Sequence, residues 1–505
     1  MYIFKQIQKY FPTDQQEWKL YLAKTLPIVF GAVFFALNSF IDNFMVTSIP
    51  NAVASLGYAN SWTAVVSSFF IGIGIFGSAL VGQFYGAKKY QQVIEVVNFR
   101  ISFSLLIAII FALVAWIIPQ PFLEVFSHDN DKAPEQTITY LRIIAITWIL
   151  LAFTYNSGNL LREVAYAKAS FFNTLITLLT NVSFNLIFVY ATKYGAVGTA
   201  YASIISRVVA LILNVAVMTK INHYLVINYF TFWKFSQAIL IQFNKRLIGI
   251  LIYSLAINLV VFRSSIWNDG FATLGDPNYL ITGPAVLSLT LAITNLMTSS
   301  FQAINGNINF FIGTKIANNQ VELALANAKK VLGINFLTAL MLSLLTMILI
   351  VGFVHLPGFA SGVEENVILN QKNKLSNVNQ VAHEAGQYYL TTLQYTIFVA
   401  VLYNPVWMLL LTNLRIIGSG GRNNIVSIAN MVTNLMQLGW LAILVYAILP
   451  IAPAIRANLP LAYLIFFASD VVKWWFYIYL RHKIKWIKNL STEHDQLVQS
   501  KRRFI

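Results

Sequence analysis

The sequence predicts an all-α polytopic membrane protein with twelve transmembrane helices, arranged as two six-helix lobes related by a pseudo-two-fold axis along the membrane normal. Three observations support this fold class. The 505 residues are 58% hydrophobic and only 10% charged, with a mean hydropathy of +0.67, which is too little charge to cover several water-facing domains. Twelve apolar stretches approach or exceed the roughly 20 residues that a helix needs to cross a bilayer. Repeated motifs divide these stretches into two sets of six.

The predicted spans follow one another along the whole chain. A polar and aromatic segment at 1–24 precedes them and lacks the features of a cleavable signal, so the first span is expected to remain. The eighth and tenth spans are long and are expected to tilt or to protrude from the bilayer. The predicted spans are 25–48, 60–82, 98–119, 138–161, 170–192, 195–218, 246–267, 279–312, 331–356, 387–414, 424–449 and 458–480.

Basic residues are concentrated on one side of the predicted spans. If segment 1–24 is cytoplasmic, the inner connections hold 25 of the 34 lysines and arginines, and the outer connections hold five. The positive-inside rule then predicts a plasma-membrane protein with both termini in the cytoplasm, including a basic tail at 481–505. The net charge of +16 is explained by this topology. Nucleic-acid binding, which needs a basic face on a soluble domain, is not predicted.

Two motifs recur at one spacing and indicate an internal duplication. Arg162 follows Asn-Leu-Leu and Arg415 follows Asn-Leu, while Asn181 and Asn434 each follow a threonine; both pairs are 253 positions apart. Because six spans are an even number, the two copies enter the membrane from the same side, which gives a parallel repeat with a binding cleft between the halves.

The duplication sets the domain boundaries. We predict an N-lobe at 25–218, a cytoplasmic linker at 219–245 and a C-lobe at 246–480. The linker is rich in aromatic residues, and two interpretations stay open: a helix lying in the membrane interface or an ordered cover over the cytoplasmic helix ends. The loop at 357–386 is predicted to be a solvated external excursion.

Two acidic residues are predicted to lie inside spans. A carboxylate in hydrocarbon costs about 2.5 to 3.5 kcal/mol even on the most lenient scale, so such a residue is a functional candidate. Asp470 has Lys473 three residues later, and a local ion pair is a sufficient explanation for it. Asp42, in the first span, has no charged partner on its own helix. The sequence therefore predicts Asp42 as the central functional group.

Polar residues on other spans are expected at the depth of Asp42. Asn181 and Asn185 share one face of the fifth span, and Ser203 shares a face of the sixth with Arg207. Carboxylate, amide and hydroxyl oxygens suit a proton or a sodium ion, so these residues are predicted to form a cation-coupling site. Two residues are predicted to modulate it, Asn38 and Arg207. The alternative is that Arg207 permanently neutralises Asp42 in a buried ion pair.

The sequence offers no sign of enzyme chemistry. The absence of cysteine excludes disulfides, thiolate metal sites and thiol nucleophiles. The GxGxxG pattern at 72–77 lies inside an apolar span without a preceding strand, so helix packing explains it better than dinucleotide binding. We expect a non-enzymatic protein without a cofactor, and no metal beyond a sodium ion at Asp42.

Helix breaks and aromatic residues point weakly to a substrate cavity. Three prolines are predicted to interrupt helices: Pro27, Pro284 and Pro405. Aromatic side chains attract organic cations through their ring faces, although simple packing explains most of them. The candidates for the cavity are Tyr155, Tyr253, Tyr395, Tyr403 and Trp407.

The sequence resembles the multidrug and toxic compound extrusion family, MATE, of the flippase and exporter superfamily, over residues 20–480. The resemblance is carried by Pro27 with Asp42, by residues 81–87, by Leu161-Arg162, by Asn181 to Asn185 and by residues 198–203. It implies two six-helix lobes around a central cleft and export of amphipathic, often cationic compounds against an inward flow of protons or sodium ions. It also implies that Asp42 is the coupling acid.

The resemblance assigns further roles and marks one departure. Asn181 matches the asparagine partner of the acid, and Ser203 takes the place of a threonine. Asn185 stands where the family often has a second aspartate, which leaves one titratable group. Spans seven to ten contain no acid, so the chain is most similar to the DinF branch.

We therefore expect a monomeric, cation-coupled antiporter that exports amphipathic or cationic compounds by alternating access and contacts membrane lipids. A first alternative is a flippase of lipid-linked precursors, which would have a basic rather than an acidic cleft. A second alternative is a membrane scaffold without a transport cycle.

Overall fold

The computed structural model describes residues 6–46, 52–124, 135–164, 166–192, 194–354, 360–372 and 374–502. Within them, eleven helices are long and apolar enough to cross a membrane, and a twelfth span results if Gln237–Asn244 is joined across a 51° bend to the helix that follows it. The long helices are α1 Gln15–Met45, α2 Ala52–Gly86, α3 Tyr90–Ile117, α4 Glu135–Glu163, α5 Ala167–Ala191, α6 Ala196–Ile221, α7 Leu247–Gly270, α8 Gly283–Ala317, α9 Val321–Val354, α10 Val378–Ser419, α11 Asn423–Ile451 and α12 Leu459–Lys483, and a tail helix α13 covers Leu490–Arg502.

The predicted fold class is confirmed, because each predicted span coincides with one long helix. The two halves also repeat the same neighbour relations. In the first half α1 packs on α5 and α4 on α6, and in the second half α7 packs on α11 and α10 on α12. The lobes meet through α1 against α8 and through α2 against α7, which is the reciprocal pairing that a two-fold axis produces.

Both chain ends pack on one end of the helix bundle, which we call the terminal face. Glu17 at the start of α1 accepts a hydrogen bond from Lys330 of α9 at 2.5 Å. The tail helix α13 lies across this face and bridges the lobes: Lys89, between α2 and α3, pairs with Asp495 at 2.6 Å, and Arg246, before α7, pairs with Glu493 at 3.2 Å. The terminal face is therefore held by both chain ends.

Two glycines let the lobes touch at the terminal face. A Cβ atom at Gly86 would lie 2.5 Å from the Cα of Thr314, and one at Gly82 would lie 2.9 Å from the carbonyl oxygen of Asn309. Real Cβ atoms do not approach backbone so closely, so only glycine permits α2 and α8 to pack here. The lobes are closed against each other at this face.

The linker between the lobes is ordered against the N-lobe. It contains the short helix Gln237–Asn244, and the rings of Phe235 and Phe243 pack on Phe99 of α3 at 5.2 and 4.2 Å. The backbone N–H of Ser236 donates to Glu95 at 3.0 Å. These contacts match the interpretation of the linker as an ordered cover.

The predicted external excursion at 357–386 is partly helical. A helix covers Ser361–Gln371 and packs on α10, and α10 itself begins at Val378, nine residues before the predicted span. Residues 357–359 and 373 lie outside the described residues.

The three predicted helix breaks differ in their structural role. Pro27 lies inside α1 and Pro405 inside α10. Proline frees the carbonyl four residues earlier, and in α10 that carbonyl, of Val401, accepts a hydrogen bond from Ser343 of α9 at 3.1 Å. The prediction for Pro284 was wrong: α8 begins at Gly283, so this proline occupies the first turn, where a missing N–H costs nothing.

Candidate functional site

Asp42 is buried in α1 and held by neutral side chains from two other helices. Its carboxyl is 8% exposed. Asn185 of α5 donates from Nδ2 to Oδ1 at 2.6 Å, and Ser203 of α6 donates from Oγ to Oδ2 at 3.4 Å. The same Nδ2 of Asn185 donates to Oδ1 of Asn181 at 3.1 Å. The structure thus brings together all four residues predicted for the coupling site.

A local irregularity positions these groups. The α-helical part of α5 ends at Asn185, and a π-helical segment, Leu186–Ala191, follows directly. Single π turns inside α-helices are frequent at functional sites because they rotate the side chains that flank them. Here the turn lies beside the residue that contacts Asp42.

Two buried amide oxygens in this cluster lack a hydrogen-bond partner. They are Oδ1 of Asn185 and Oδ1 of Asn38, and Asn38 lies one helical turn before Asp42 on the same face of α1. An unpaired buried oxygen costs about 1 to 3 kcal/mol. Together with the carboxylate, these oxygens provide the hard donor set that a proton carrier or a sodium ion favours.

Arg207 does not clamp Asp42. Its guanidinium centre lies 5.0 Å from the ring centroid of Phe35, and none of its nitrogens lies within 4.0 Å of a carboxylate oxygen of the described chain. The alternative of a permanent Asp42–Arg207 ion pair is therefore not found. Arg207 remains close enough to bias the site through its charge without neutralising it.

Three carboxylates are buried within the described residues, and two of them are paired with cations. Glu163 contacts Arg100 at 2.9 Å, and Asp470 contacts Lys473 at 2.9 Å. Asp470 also accepts hydrogen bonds from Gln437 and Trp407 at 2.9 and 2.7 Å, so an ion pair is a sufficient explanation for this acid, as predicted. Asp42 alone among the three can gain or lose a cation without leaving a buried base unpaired.

The ion pair of Glu163 and Arg100 was missed in the sequence. Hydropathy ended the fourth span at 161, which assigned Glu163 to a connection, and Arg100 was counted among the basic residues of the inner connections. In the structure α4 continues to Glu163, and Glu163 and Arg100 are fully or nearly fully buried. Ser78 donates a hydrogen bond to Glu163, and Nε of Arg100 donates to Asn156 at 3.1 Å.

A cavity between the lobes borders the Asp42 cluster. Its volume is about 410 Å³, and α1, α4, α5 and α6 form most of its wall, with α8 closing it from the C-lobe. Asn38 and Arg207 line it, whereas Asp42 is one turn behind the wall. The carboxyl of Asp42 therefore lies next to the cavity without forming part of its wall.

Only one of the five aromatic residues predicted for the cavity lines it. Tyr155 is part of the wall. Tyr253 is buried against Arg415, whose guanidinium donates to its hydroxyl at 2.5 Å, and Tyr395 is 55% exposed on α10. Tyr403 stacks on Trp407, whose indole N–H donates a hydrogen bond to Asp470. The prediction failed for these four because hydropathy cannot tell which face of a span meets the other lobe.

Comparison with known proteins finds similarity to transporters over part of the chain. The MatE family profile matches residues 27–187, which include Asp42, Asn181 and Asn185. The chain is 26% identical to the probable multidrug resistance protein YoeA of Bacillus subtilis over 34% of this chain and 38% of that protein. It is 24% identical to a probable multidrug resistance protein NorM of Halalkalibacterium halodurans over 42% and 47% of the two chains. The matches thus span less than half the length of these curated relatives.

Solved structures cover nearly the whole chain. A MOP superfamily transporter from Pyrococcus furiosus, described by the reversed polarity of its binding pocket, superposes with a TM-score of 0.68 at 18% identity and covers 95% of this chain and 99% of its own. A mutant of the Vibrio cholerae MATE transporter VcmN gives a TM-score of 0.70 at 15% identity and covers 93% and 98%. These likenesses show the fold.

Proposed function

We propose that the chain, which matches the MatE family profile over residues 27–187, is a cation-coupled exporter of amphipathic organic compounds that works by alternating access. The observation that carries the proposal is the isolation of Asp42. It is the buried carboxylate without a basic partner among the described residues, and it lies one helical turn behind the wall of the cavity between the lobes.

Loading of Asp42 is the step that couples the ion to the substrate. A proton or a sodium ion neutralises the carboxylate, and a sodium ion can in addition be bound by the unpaired oxygens of Asn38 and Asn185. In the unloaded state the buried charge is held only by neutral hydrogen bonds, so wetting of the site favours ion release and drying favours binding. A cation that binds one lobe arrangement better than the other shifts the population of the two arrangements.

The two lobes supply the alternating arrangements. In the structure the terminal face is closed by the glycine contacts of α2 with α8 and by the tail helix α13. We place this face in the cytoplasm of the cell, on the plasma membrane, because the predicted inner connections carry most of the basic residues. Substrate loading from the cytoplasm then requires these contacts to separate.

The test is transport in proteoliposomes with an imposed proton or sodium gradient and a fluorescent amphiphile. Asp42→Asn keeps the shape of the side chain and removes the exchangeable charge, so gradient-driven movement should be lost. Asp269→Asn is the matched control, because Asp269 is an exposed acid at the end of α7 that contacts Tyr446. It should transport like the wild type.

The same experiment separates the alternatives. If Asp42→Asn folds and moves substrate as the wild type does, the coupling proposal is wrong. Gradient-independent transfer of a lipid-linked compound would then favour a flippase, and the absence of any flux in either protein would favour a scaffold.

A further inference from the structure

The charge of the cavity wall specifies the kind of substrate. Two lining residues are charged, Arg162 of α4 and Arg207 of α6, and no described aspartate or glutamate lines the cavity. The rest of the wall consists of amide and hydroxyl side chains alternating with apolar ones such as Phe35 and Leu151. The cavity is therefore amphipathic and basic, which differs from the acidic cleft expected for an exporter of organic cations.

Arg207 has free hydrogen-bonding capacity. Its guanidinium lies over the ring of Phe35 at 5.0 Å and forms no hydrogen bond or ion pair with the described residues. A guanidinium has five N–H donors in a planar fork. A donor set of this size, facing a cavity within a membrane-spanning lobe, lacks the acceptors that would stabilise it.

Arg162 is oriented by neutral groups only. It donates to Asn159 on its own helix and to Ser170 of α5 at 3.2 Å. The adjacent acid, Glu163, contacts Arg100 through both carboxylate oxygens, at 3.1 and 2.9 Å. It is therefore paired with Arg100 and not with Arg162. Arg162 is thus positioned by hydrogen bonds while its positive charge stays unmatched by a carboxylate.

We propose that this cavity binds amphiphiles whose polar end is an oxyanion, a carboxylate or a phosphate group, with Arg162 and Arg207 as the residues that select the charge. Guanidinium groups hold carboxylates and phosphates through paired N–H donors, and the apolar part of the wall receives the hydrocarbon portion. This inference rests on the proposed function for the direction of transport, but the binding step stands without it.

An anionic substrate changes the mechanism of exchange. The carboxylate of Asp42 would repel the anion, so loading Asp42 with a cation does not displace the substrate by charge competition. Coupling then has to act through the movement of the lobes rather than through a shared binding site. Export of a monoanion against entry of one cation also moves two positive charges inward, so an inside-negative membrane potential drives the cycle.

Binding without any gradient tests the selectivity. The probes are a dansylated alkyl carboxylate, a dansylated alkyl phosphate and a dansylated alkyl trimethylammonium of equal chain length, titrated against the protein in nanodiscs. The anions should bind at least tenfold more tightly than the cation. Arg207→Gln and Arg162→Gln should each weaken anion binding about tenfold or more and leave cation binding unchanged or stronger, since a hydrogen bond to a charged group contributes about 1.5 to 3 kcal/mol.

The control is Arg142→Gln, because Arg142 lies on α4 but is exposed and contacts the backbone of Trp116 instead of the cavity. It should bind all probes as the wild type does. Arg207→Lys keeps the charge and loses the planar fork, so it should weaken anion binding less than Arg207→Gln. If Arg207→Gln does not fold, Arg207→Lys must still weaken the anions more than the cation. Tighter binding of the cation, or arginine variants that bind like the wild type, would overturn the proposal.

Two further measurements distinguish a lipid-borne from a free oxyanion, and a failure of coupling from a failure of binding. A polyisoprenyl phosphate built into the nanodisc should displace the dansylated alkyl phosphate if the ligand is lipid-borne, and should leave it bound if the ligand is a free amphiphile. In both cases an oxyanion binds in the cavity. If neither the alkyl phosphate nor the polyisoprenyl phosphate binds, the proposal is wrong. Asp42→Asn should keep anion binding while losing gradient-driven exchange. If the wild type binds the anions but shows no gradient-driven exchange, the proposed coupling is wrong and the proposed anion binding in the cavity still holds.

Discussion

Replacement of Gln83 by leucine should open the terminal face. Gln83 lies in α2 and is fully buried. Both hydrogens of its Nε2 are used: one is donated to the carbonyl of Ser419 at the end of α10, at 3.0 Å, and the other to the carbonyl of Lys488 at 3.1 Å. Its Oε1 accepts from the N–H of Leu490 at 2.6 Å. One side chain of the N-lobe is thus bonded to the C-lobe and to the start of the tail helix.

The size of the effect follows from these three bonds. Leucine has nearly the same volume but leaves two carbonyls and one N–H without a partner in a dry interface, at about 1 to 3 kcal/mol each when water cannot reach them. Parting of the lobes lets water satisfy all three groups, so the penalty applies mainly to the closed arrangement. A conservative total of about 3 kcal/mol shifts the ratio of closed to open molecules about 150-fold.

Distance measurements between spin labels can detect this shift, because the chain has no native cysteine and labels can be placed without background. Lys168 at the start of α5 and Glu322 at the start of α9 are exposed, one on each lobe at the terminal face. Gln83→Leu should add a population with a longer distance between these labels. Gln91→Leu is the matched control, since Gln91 is exposed and donates a hydrogen bond to Glu95 on its own helix. An unchanged distance distribution in a folded Gln83→Leu protein would refute the reasoning.

Three further perturbations have definite expected outcomes. Gly86→Ala places a Cβ atom 2.5 Å from the backbone of Thr314, so the same label pair should report partial opening, with an overpacking cost of about 1 to 3 kcal/mol. Arg100→Gln leaves Glu163 as an unpaired buried charge and should lower the unfolding free energy by about 3 to 5 kcal/mol, measured as a lower midpoint of thermal unfolding. Acidification through pH 6.5 should loosen the tail helix at His494, measured as lower protection factors for amide hydrogen exchange in α13, each rate being divided by the intrinsic rate at the same pH.

The pH prediction follows from the environment of His494. Burial lowers the pKa of His494 below its usual 6.5, with Lys89 acting in the same direction and Asp495 and Glu95 opposing it, and its ring packs edge-on against Phe84 at 5.2 Å. A base whose folded pKa is depressed stabilises the docked tail fully above pH 6.5, and this contribution is lost as the pH falls through the lower folded pKa. His494→Leu should remove the pH dependence of the protection factors.

The other two predictions have equally simple controls. Gly439→Ala is neutral because no atom lies within 4 Å of the added Cβ, and it should leave the label distances unchanged. Lys89→Gln removes a partly exposed ion pair with Asp495 and should change the unfolding free energy by at most about 1 kcal/mol. An Arg100→Gln protein as stable as Lys89→Gln would show that the buried pair does not stabilise the lobe.

The spans and the Asp42 cluster could be predicted from the sequence because each depends on short-range information. Hydropathy over about 20 residues defines a span, and the cost of a lone acid in hydrocarbon marks Asp42. The four-residue spacing of Asn181 and Asn185 placed them on one face. By contrast, the partners of Glu163 are set by packing between helices, which no local pattern encodes, and a charge near a span end resembles an ordinary loop residue.

The closure of the terminal face was also beyond the sequence. The motif at 81–87 could be recognised as a resemblance, but the reason for its glycines and for Gln83 appears only when α2 is placed against α8 and the tail. The tail itself reads as a basic, polar segment. Its helix packs through partners distant in the sequence: Asp495 pairs with Lys89, which lies more than 400 residues earlier.

The two copies of the duplicated architecture hold opposite charges at related helices, and under the proposed function this predicts cation binding in the N-lobe alone. Helices α1 and α5 pack in the N-lobe as α7 and α11 do in the C-lobe. In the N-lobe, Asn181 faces Asn185 and, through it, the acid Asp42 of α1. In the C-lobe the repeat-related Asn434 accepts a hydrogen bond from the base Arg263 of α7 at 3.3 Å. The guanidinium of Arg263 is a fixed positive charge, and it repels the cation that the carboxylate of Asp42 attracts. Under the proposed function, we therefore expect one cation per cycle, bound in the N-lobe.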